Sequence, residues 1–538
     1  MPDHELFAKP PVIRSLAIPW KTYRLTSEAA QCAAGMLLCS ILTGLFWPAT
    51  ARAQDYHGGL LEAIMLAINR EPGILASRSQ VELEAGLEQQ ARAEFDTSLL
   101  AAVQAARAHT PLAEFSRRPG FEQVDTSNLS YSLGSATKLR SGISIAPVLS
   151  VDRVRDNATN FSSPAAGSVA LRFTVPVLKG SGQAVTTAAE RAARSRLQAA
   201  AYSYRHAIAS GIARVTNAYW DLLAANRSLA LAFESEERSR TLVEDARRLA
   251  KGDEIPPSDI LQYEAQLERD RATSIAATQA REAARAAFVV AVGLDVTAID
   301  GADPVEDFPE WSRAAAARLP DKPPSGTPQG RSDLLALQRQ LEAADILYDA
   351  ARRDSNSQLD LAFSVGYSGQ VENRTPGGSV AALGRPASGL NISLGLNYVL
   401  PVQGNALSGV LRQRAAQADQ ARTGVEALKR SIAANIRAQH AALRSAAQQL
   451  ELVRSQLRLQ TQVFANERKK YALGQTTVLD VLNAEVQLTN DGQREIAARQ
   501  ELAQALVNYR FETGTLLSTD ADVQRLNVET LTTVPEPQ

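Results

Sequence analysis

The chain's 538 residues exceed the usual size of one compact domain, so it is built of several domains or of one elongated architecture. Aromatic residues make up 5% while Ala, Leu, Gln, Arg and Glu abound, a composition of long helices with small-residue seams that excludes a thick globular core. With 57 Lys plus Arg against 58 Asp plus Glu, nothing draws a polyanion, which argues against nucleic acid as a partner.

Basic residues Lys9, Arg14, Lys21 and Arg24 precede an apolar run from Ala33 to Pro48, and Ala51 and Ala53 then form a small-x-small cleavage site. This reads as an export signal over 1–53, cut after Ala53. The leading region is long, so a misassigned start codon and an uncleaved anchor stand beside that reading. Both cysteines, Cys32 and Cys39, fall in the signal, so no disulfide is expected in the mature chain. Leu38, ahead of Cys39, is bulky where a lipidation signal wants a small residue. Beyond the signal no apolar run reaches 18 residues, and no membrane-spanning helix is expected.

Helical periodicity opens the mature chain over 58–96. A strand-like pair follows at 139–148 and 168–178, then a very long helix over 183–251, a corner at Gly252, a returning helix over 258–292 and a Pro, Asp and Gly-rich connector over 296–330. The order then repeats. "VELEAGLEQQAR" at 81–92 aligns with "LEAADILYDAAR" at 341–352, "VPVLKGSG" at 175–182 with "LPVQGN" at 400–405, Tyr219 with His440, Asp259 with Asp480, and Gly293 with Gly514. The chain is therefore a duplicated strand-helix-helix unit: first repeat 54–295, connector 296–330, second repeat 331–517, C-terminal tail 518–538. A helix from Gly404 to Leu473 would be a rod of roughly 100 Å, which must belong to a coiled coil or bundle.

Four strands alternate. Val169, Leu171, Phe173 and Val175 share one face, Leu359, Leu361, Phe363, Val365 and Tyr367 another, and Leu390, Ile392, Leu394, Leu396 and Tyr398 a third, with polar or small residues between; 139–148 follows imperfectly. A membrane-barrel strand and a half-buried soluble strand give the same period. Four strands cannot close a barrel, and an open edge cannot face lipid. Two chains would give eight strands, whose interior side chains fill, and three would give twelve with a lumen, which favours a trimer.

In order, duplication and spacing, the opening helix "LLEAIMLAINREPGILASRSQVELE", the restart "RSDLLALQRQLEAA" at 331, the strand-to-helix junctions at Pro176, Gly180, Pro401 and Gly404, and above all "YALGQTTVLDVLNAEVQL" at 471–488 resemble the TolC-like outer-membrane efflux proteins. The resemblance implies a mostly α fold with a small β part: a homotrimer whose coiled-coil helices form a periplasmic tunnel and whose strands, four per chain, share a twelve-stranded outer-membrane barrel. It implies an exit duct for a tripartite efflux or type I secretion system, opened by a periplasmic adaptor and an inner-membrane pump, with lipid as the surrounding partner. Tyr471, Asp480 and Asp259 fall where the family lines or ties its periplasmic constriction, and Asn483 stands where the best-known members carry a second aspartate. Thr476 replaces an arginine that bridges the tip hairpins, so a hydrogen bond such as Tyr471 to Asp259 is expected to hold the closed state. Lys251, Gly252, Leu473, Gly474 and Thr476 are the expected adaptor contacts. Three copies of Asp480 on one axis would favour cations and repel each other; the same aspartate could instead serve as the N-cap of the returning helix. The cargo is unspecified; family frequency favours small molecules.

Other signals are weaker. "VPVLKGSGQAV" resembles a nucleotide-binding turn, but Val185 stands at the third glycine and the second repeat has "QGNA", so it reads as a plain turn. His4, His57, His109, His206 and His440 lack metal-ligand spacing, with His440 read as a surface or packing residue. No nucleophile elbow, Walker loop or paired acid-base motif appears; neither an enzyme nor a cofactor is expected. The competing class is a periplasmic coiled-coil scaffold whose strands form a soluble sheet.

Overall fold

The computed structural model describes residue 56 and residues 58–116, 122–157, 165–252, 255–295, 303–310, 319–323, 330–355, 357–371, 389–517 and 527–535. The signal expected over 1–53 lies outside these residues, as does most of the connector.

The helical stretch expected over 58–96 is two helices, α1 (Leu60–Arg70) and α2 (Pro72–Arg92). Pro72 has no N–H to continue the ladder and forces Glu71 into extended backbone, where its carboxylate accepts the Ile74 N–H at 2.7 Å and starts the second helix. The long rods are α3 (Ala188–Lys251, after one helical turn at Gln183–Thr186) and α6 (Asn405–Ala472), with returning partners α4 (Pro257–Val292) and α7 (Val478–Glu512). At 64 and 68 residues the rods run about 95 and 100 Å. A shorter helix, α5 (Ser332–Arg353), opens the second repeat, and one turn of helix, α8 (Val528–Thr532), belongs to the tail. Among the described residues no helix is long and apolar enough to cross a membrane.

Small residues set the helix seams. α3 lies along α2, α4, α5 and α7, while α6 lies along α5 and α7. A Cβ at Gly211 would come 2.7 Å from Ile74 and one at Gly492 would come 2.8 Å from Leu231, so both glycines mark closest approaches between helices. The main core gathers around fully buried Tyr219, Trp220 and Phe288, whose rings meet edge-on at 5.2 and 5.9 Å. A second cluster around Leu443, Leu450 and Leu502 also takes in Val534 of the tail.

The β part departs from expectation. Among the described residues six strands, not four, form one antiparallel meander in the order β1 to β6: β1 (Ser98–Pro111), β2 (Gln123–Lys138), β3 (Ser144–Asp156), β4 (Ala165–Pro176), β5 (Gln358–Val371) and β6 (Gly389–Val399). The strand expected at 139–148 is β3, displaced toward the C-terminus, because Leu139 to Ile143 make the tight turn from β2. Gly142 donates to the Leu139 carbonyl and the Leu139 N–H to Ile143, both at 2.8 Å. β1 escaped notice because alanine occupies both of its faces. β2 carries a short alternation at Leu129, Tyr131 and Leu133.

The strand count also undoes the argument that selected a trimer. With six strands per chain, two copies would already supply twelve, so copy number has to be argued on other grounds.

Candidate functional site

The sheet has two chemically distinct faces. Direct cross-strand pairs share a face, and the register stacks Val103, Tyr131 and Val151, then Leu133, Leu149, Val169, Tyr367 and Leu390, then Leu171, Val365 and Ile392, and lastly Phe173, Phe363 and Leu394, into one apolar band across all six strands. The opposite face is rich in Ser and Asn. There the Ser150 and Ser168 hydroxyls meet at 2.6 Å, those of Ser364 and Ser393 at 2.7 Å, and Asn391 donates to Ser368 at 2.7 Å. One apolar and one hydrogen-bonding face suits a wall between an apolar and an aqueous phase, a pattern that a half-buried soluble sheet shares.

The junctions from sheet to helix lie where the duplicated motif placed them. Pro176 ends β4, and Gly180, at φ +73, donates its N–H to Asp354 at 2.8 Å. Pro401 follows β6, and Gly404, at φ +62, starts α6. At the same level the β2–β3 turn is built into the junction. A Cβ on Gly142 would come 2.8 Å from the Gly180 carbonyl, and Arg140 grips Glu190 of α3 with two bonds of 3.0 and 2.8 Å.

The two helix corners at the far end differ. At Gly474 the chain forms a Schellman end: the Gln475 N–H reaches the Lys470 carbonyl and the Gly474 N–H that of Tyr471, both at 2.9 Å, with Gly474 left-handed at φ +69. Gly252 closes α3 at φ −87, a conformation open to any residue. Pro256 and Pro257 then start α4.

Asp480 does contribute to helix initiation, but as the third helical residue, closing a capping box, and not as the N-cap itself. Thr477 is the cap: its N–H and hydroxyl donate to the Asp480 carboxylate at 3.0 and 2.6 Å, and the Asp480 N–H returns a bond of 3.3 Å to the hydroxyl. These bonds, led by the Thr477 hydroxyl, hold the Asp480 carboxyl below the usual aspartate range. Thr476 lies 3.0 Å from both Glu467 and Asp480, so its single hydroxyl hydrogen serves one carboxylate at a time. Asp480 and Asn483 are exposed on one side of α7, while Val478, Val481 and Leu482 point into the hairpin core with Tyr263 and Leu242. Leu473 is exposed at the corner, and so are Lys251 and Gly252 at the other.

The expected bond from Tyr471 to Asp259 does not form within the protomer. The Tyr471 ring stands against Tyr263 at 6.5 Å, and the Asp259 carboxylate accepts from its neighbour Ser258 at 3.4 Å. Ion pairs tie the two hairpins instead. Arg468 of α6 meets Asp245 of α3 at 3.5 Å, and Arg238 of α3 meets the buried Glu485 of α7 at 3.2 Å. The sequence reading missed these because long side chains reach across a helix seam at no fixed spacing.

It also missed two clamps on the connector. Tyr219 accepts the Glu306 N–H at 2.9 Å and donates its single hydroxyl hydrogen either to the Gly58 carbonyl at 3.1 Å or to the Glu306 carboxylate. At the aligned position, His440 is buried and its Nε2 lies 2.7 Å from the Pro320 carbonyl. The signal was present in the Tyr219 and His440 alignment: equivalent positions hold equivalent straps.

A helical rod pair capped by a sheet that is apolar on one side and polar on the other defines a stave of a tunnel joined to a segment of barrel. Comparison with known proteins agrees. Residues 325–515 match the model of the outer membrane efflux protein family. Protein CyaE of Bordetella pertussis is 29% identical over 225 residues, 40% of this chain and 43% of that one, so the chain matches less than half of this curated relative. A membrane protein from Pseudomonas aeruginosa superposes with a TM-score of 0.62 at 17% identity, over 85% of this chain and 92% of that one. The Campylobacter jejuni CmeC outer membrane channel does so at 0.61 and 15%, over 88% and 89%. At such identities the structures establish the fold. The chain thus has the fold of these outer-membrane channels, and its second repeat matches the outer membrane efflux protein family over 325–515.

Proposed function

We propose that the protein is the outer-membrane exit duct of a tripartite efflux or type I secretion system, a homotrimer whose sheet segments close one barrel and whose helices enclose a periplasmic passage. The observation that carries this is the sheet: one face is apolar across all six strands and the other is lined by Ser and Asn. Such a wall suits lipid outside and water inside. The family supports three copies. The corners form the periplasmic end, where the exposed Asp480 and Asn483 line the constriction and Tyr471 and Asp259 stand beside them in the two hairpins. Lys251, Gly252, Leu473, Gly474 and Thr476 meet the adaptor, and a pump behind it selects the cargo.

The test is the mass of the mature protein extracted from membranes in mild detergent. Three copies per particle, with none in the soluble fraction, are expected; a soluble monomer or dimer would refute the duct. Lys251→Glu and Gly474→Trp are expected to block transport without blocking assembly, and normal transport by both would remove the tip assignment.

A further inference from the structure

The two repeats differ in strand number. In the second, α5 leads to β5, and β6 returns to α6; in the first, α2 leads to β1 and only β4 enters α3, so β2 and β3 form an additional hairpin inside the sheet. This hairpin is integral to the wall. β2 pairs along its length with β1, and β3 pairs with β4 from Ser144 to Arg153. Its lower turn is fixed at the sheet-to-helix junction by Gly142 under Gly180 and by the bidentate Arg140 to Glu190 contact. Its apolar residues continue the outer band.

Among the described residues the free edges of the sheet are then β1 and β6. Their outward backbone groups, over 14 and 11 residues, require partners in a lipid environment. β1 and β6 run in opposite directions, so β6 of one copy can pair antiparallel with β1 of the next.

We propose that a second copy of this chain docks edge to edge through β1 and β6, and that the closed barrel has eighteen strands, three copies of six. Because diameter grows roughly linearly with strand number, the lumen is about 1.5 times as wide as a twelve-stranded one, in the range that leaves an open aqueous channel. The width serves cargo of large cross-section at the outer end, while the helix corners set the narrowest point independently. The inference rests on the trimer proposed above.

Cysteine cross-linking in membranes tests it, using mature protein whose native sequence supplies no cysteine after Cys39. Leu394→Cys on β6 is paired in turn with Leu99→Cys, Ala101→Cys, Val103→Cys and Ala105→Cys on β1, which scans the unknown register along one face. Controls pair it with Leu149→Cys and Val151→Cys on β3. Neighbouring antiparallel residues lie within disulfide reach. At least one β1 pair is expected to convert monomer into a covalently linked ladder ending at three chains, with no product from the β3 pairs. Linkage through β3 in a three-copy particle would show that β1 and β2 lie outside a twelve-stranded barrel, overturning the proposal while the trimer stands. No linkage in any β1 pair would also overturn it. A copy number other than three, measured on the same particles, would instead refute the trimer reading on which the strand total depends.

Discussion

Glu485 is the strongest internal test of how the two hairpins are held together. Its side chain is 1% accessible, and one carboxylate oxygen accepts from Ser235 at 2.9 Å, Thr489 at 3.0 Å and Arg238 at 3.2 Å, while the other has no partner. Arg238 comes from α3, so the contact joins the first hairpin to the second. Arg238→Ala would leave a buried carboxylate supported by two hydroxyls, and removing one partner of a buried pair costs about 3–5 kcal/mol. Since about 1.4 kcal/mol is tenfold, amides of α7 flanking Glu485 should exchange hydrogen about a hundredfold to several thousandfold faster. Adding Glu485→Gln to Arg238→Ala removes the stranded charge and should restore about 2 kcal/mol of that loss. If Arg238→Ala changes exchange in α7 by less than threefold, the pair does not hold the hairpins and the argument is wrong.

The two corners should respond unequally to alanine. Gly474→Ala places a side chain at φ +69 with open space around it, so the cost is backbone alone, about 1 kcal/mol, whereas Gly252→Ala at φ −87 should be nearly neutral; thermal melts of the two variants separate them. Asp480 has its carboxyl depressed in the folded state, so its contribution is present above the ordinary aspartate range and is lost as pH falls through the lower folded value. Exchange at the start of α7 should therefore rise on acidification below about pH 4 in the native protein, and Asp480→Asn should abolish that dependence. Tyr219→Phe deletes the hydroxyl bonding Glu306 and Gly58 and should cost about 1–3 kcal/mol, read as faster proteolysis within 303–310 without loss of assembly.

Much of the helical plan was legible because duplication supplied its own check. The alignment of Asp259 with Asp480 and of Gly293 with Gly514 places both hairpins from the sequence alone. The break at Glu71 and Pro72 was also written in the chain, since proline cannot continue a ladder, yet the apolar periodicity on either side obscured it. β1 was illegible for a physical reason. Ala101, Ala102, Ala105, Ala106 and Ala108 populate both of its faces, so the period of two that marks a strand vanishes, although β2 pairs with it along its full length. The buried bond from Arg238 to Glu485 was equally hidden, because the two residues lie on different helices 247 positions apart.

On the duct reading, an inserted hairpin widens the barrel without changing the helices. A strand entering the barrel from α2 crosses the membrane once, and α3 must begin on the side from which α2 came. Any strands inserted between β1 and β4 must therefore come in pairs, and each pair needs one turn on the helical side. Here that turn is Leu139 to Ile143, and its fit depends on Gly142 lacking a Cβ where the Gly180 carbonyl approaches. Gly142→Val, at φ +95 and 2.8 Å from that carbonyl, should accordingly impair barrel assembly while the isolated chain still forms its helices. A trimer that assembles normally with this substitution would show that the turn is not seated at the junction, and the hairpin would lose its structural claim to the wall.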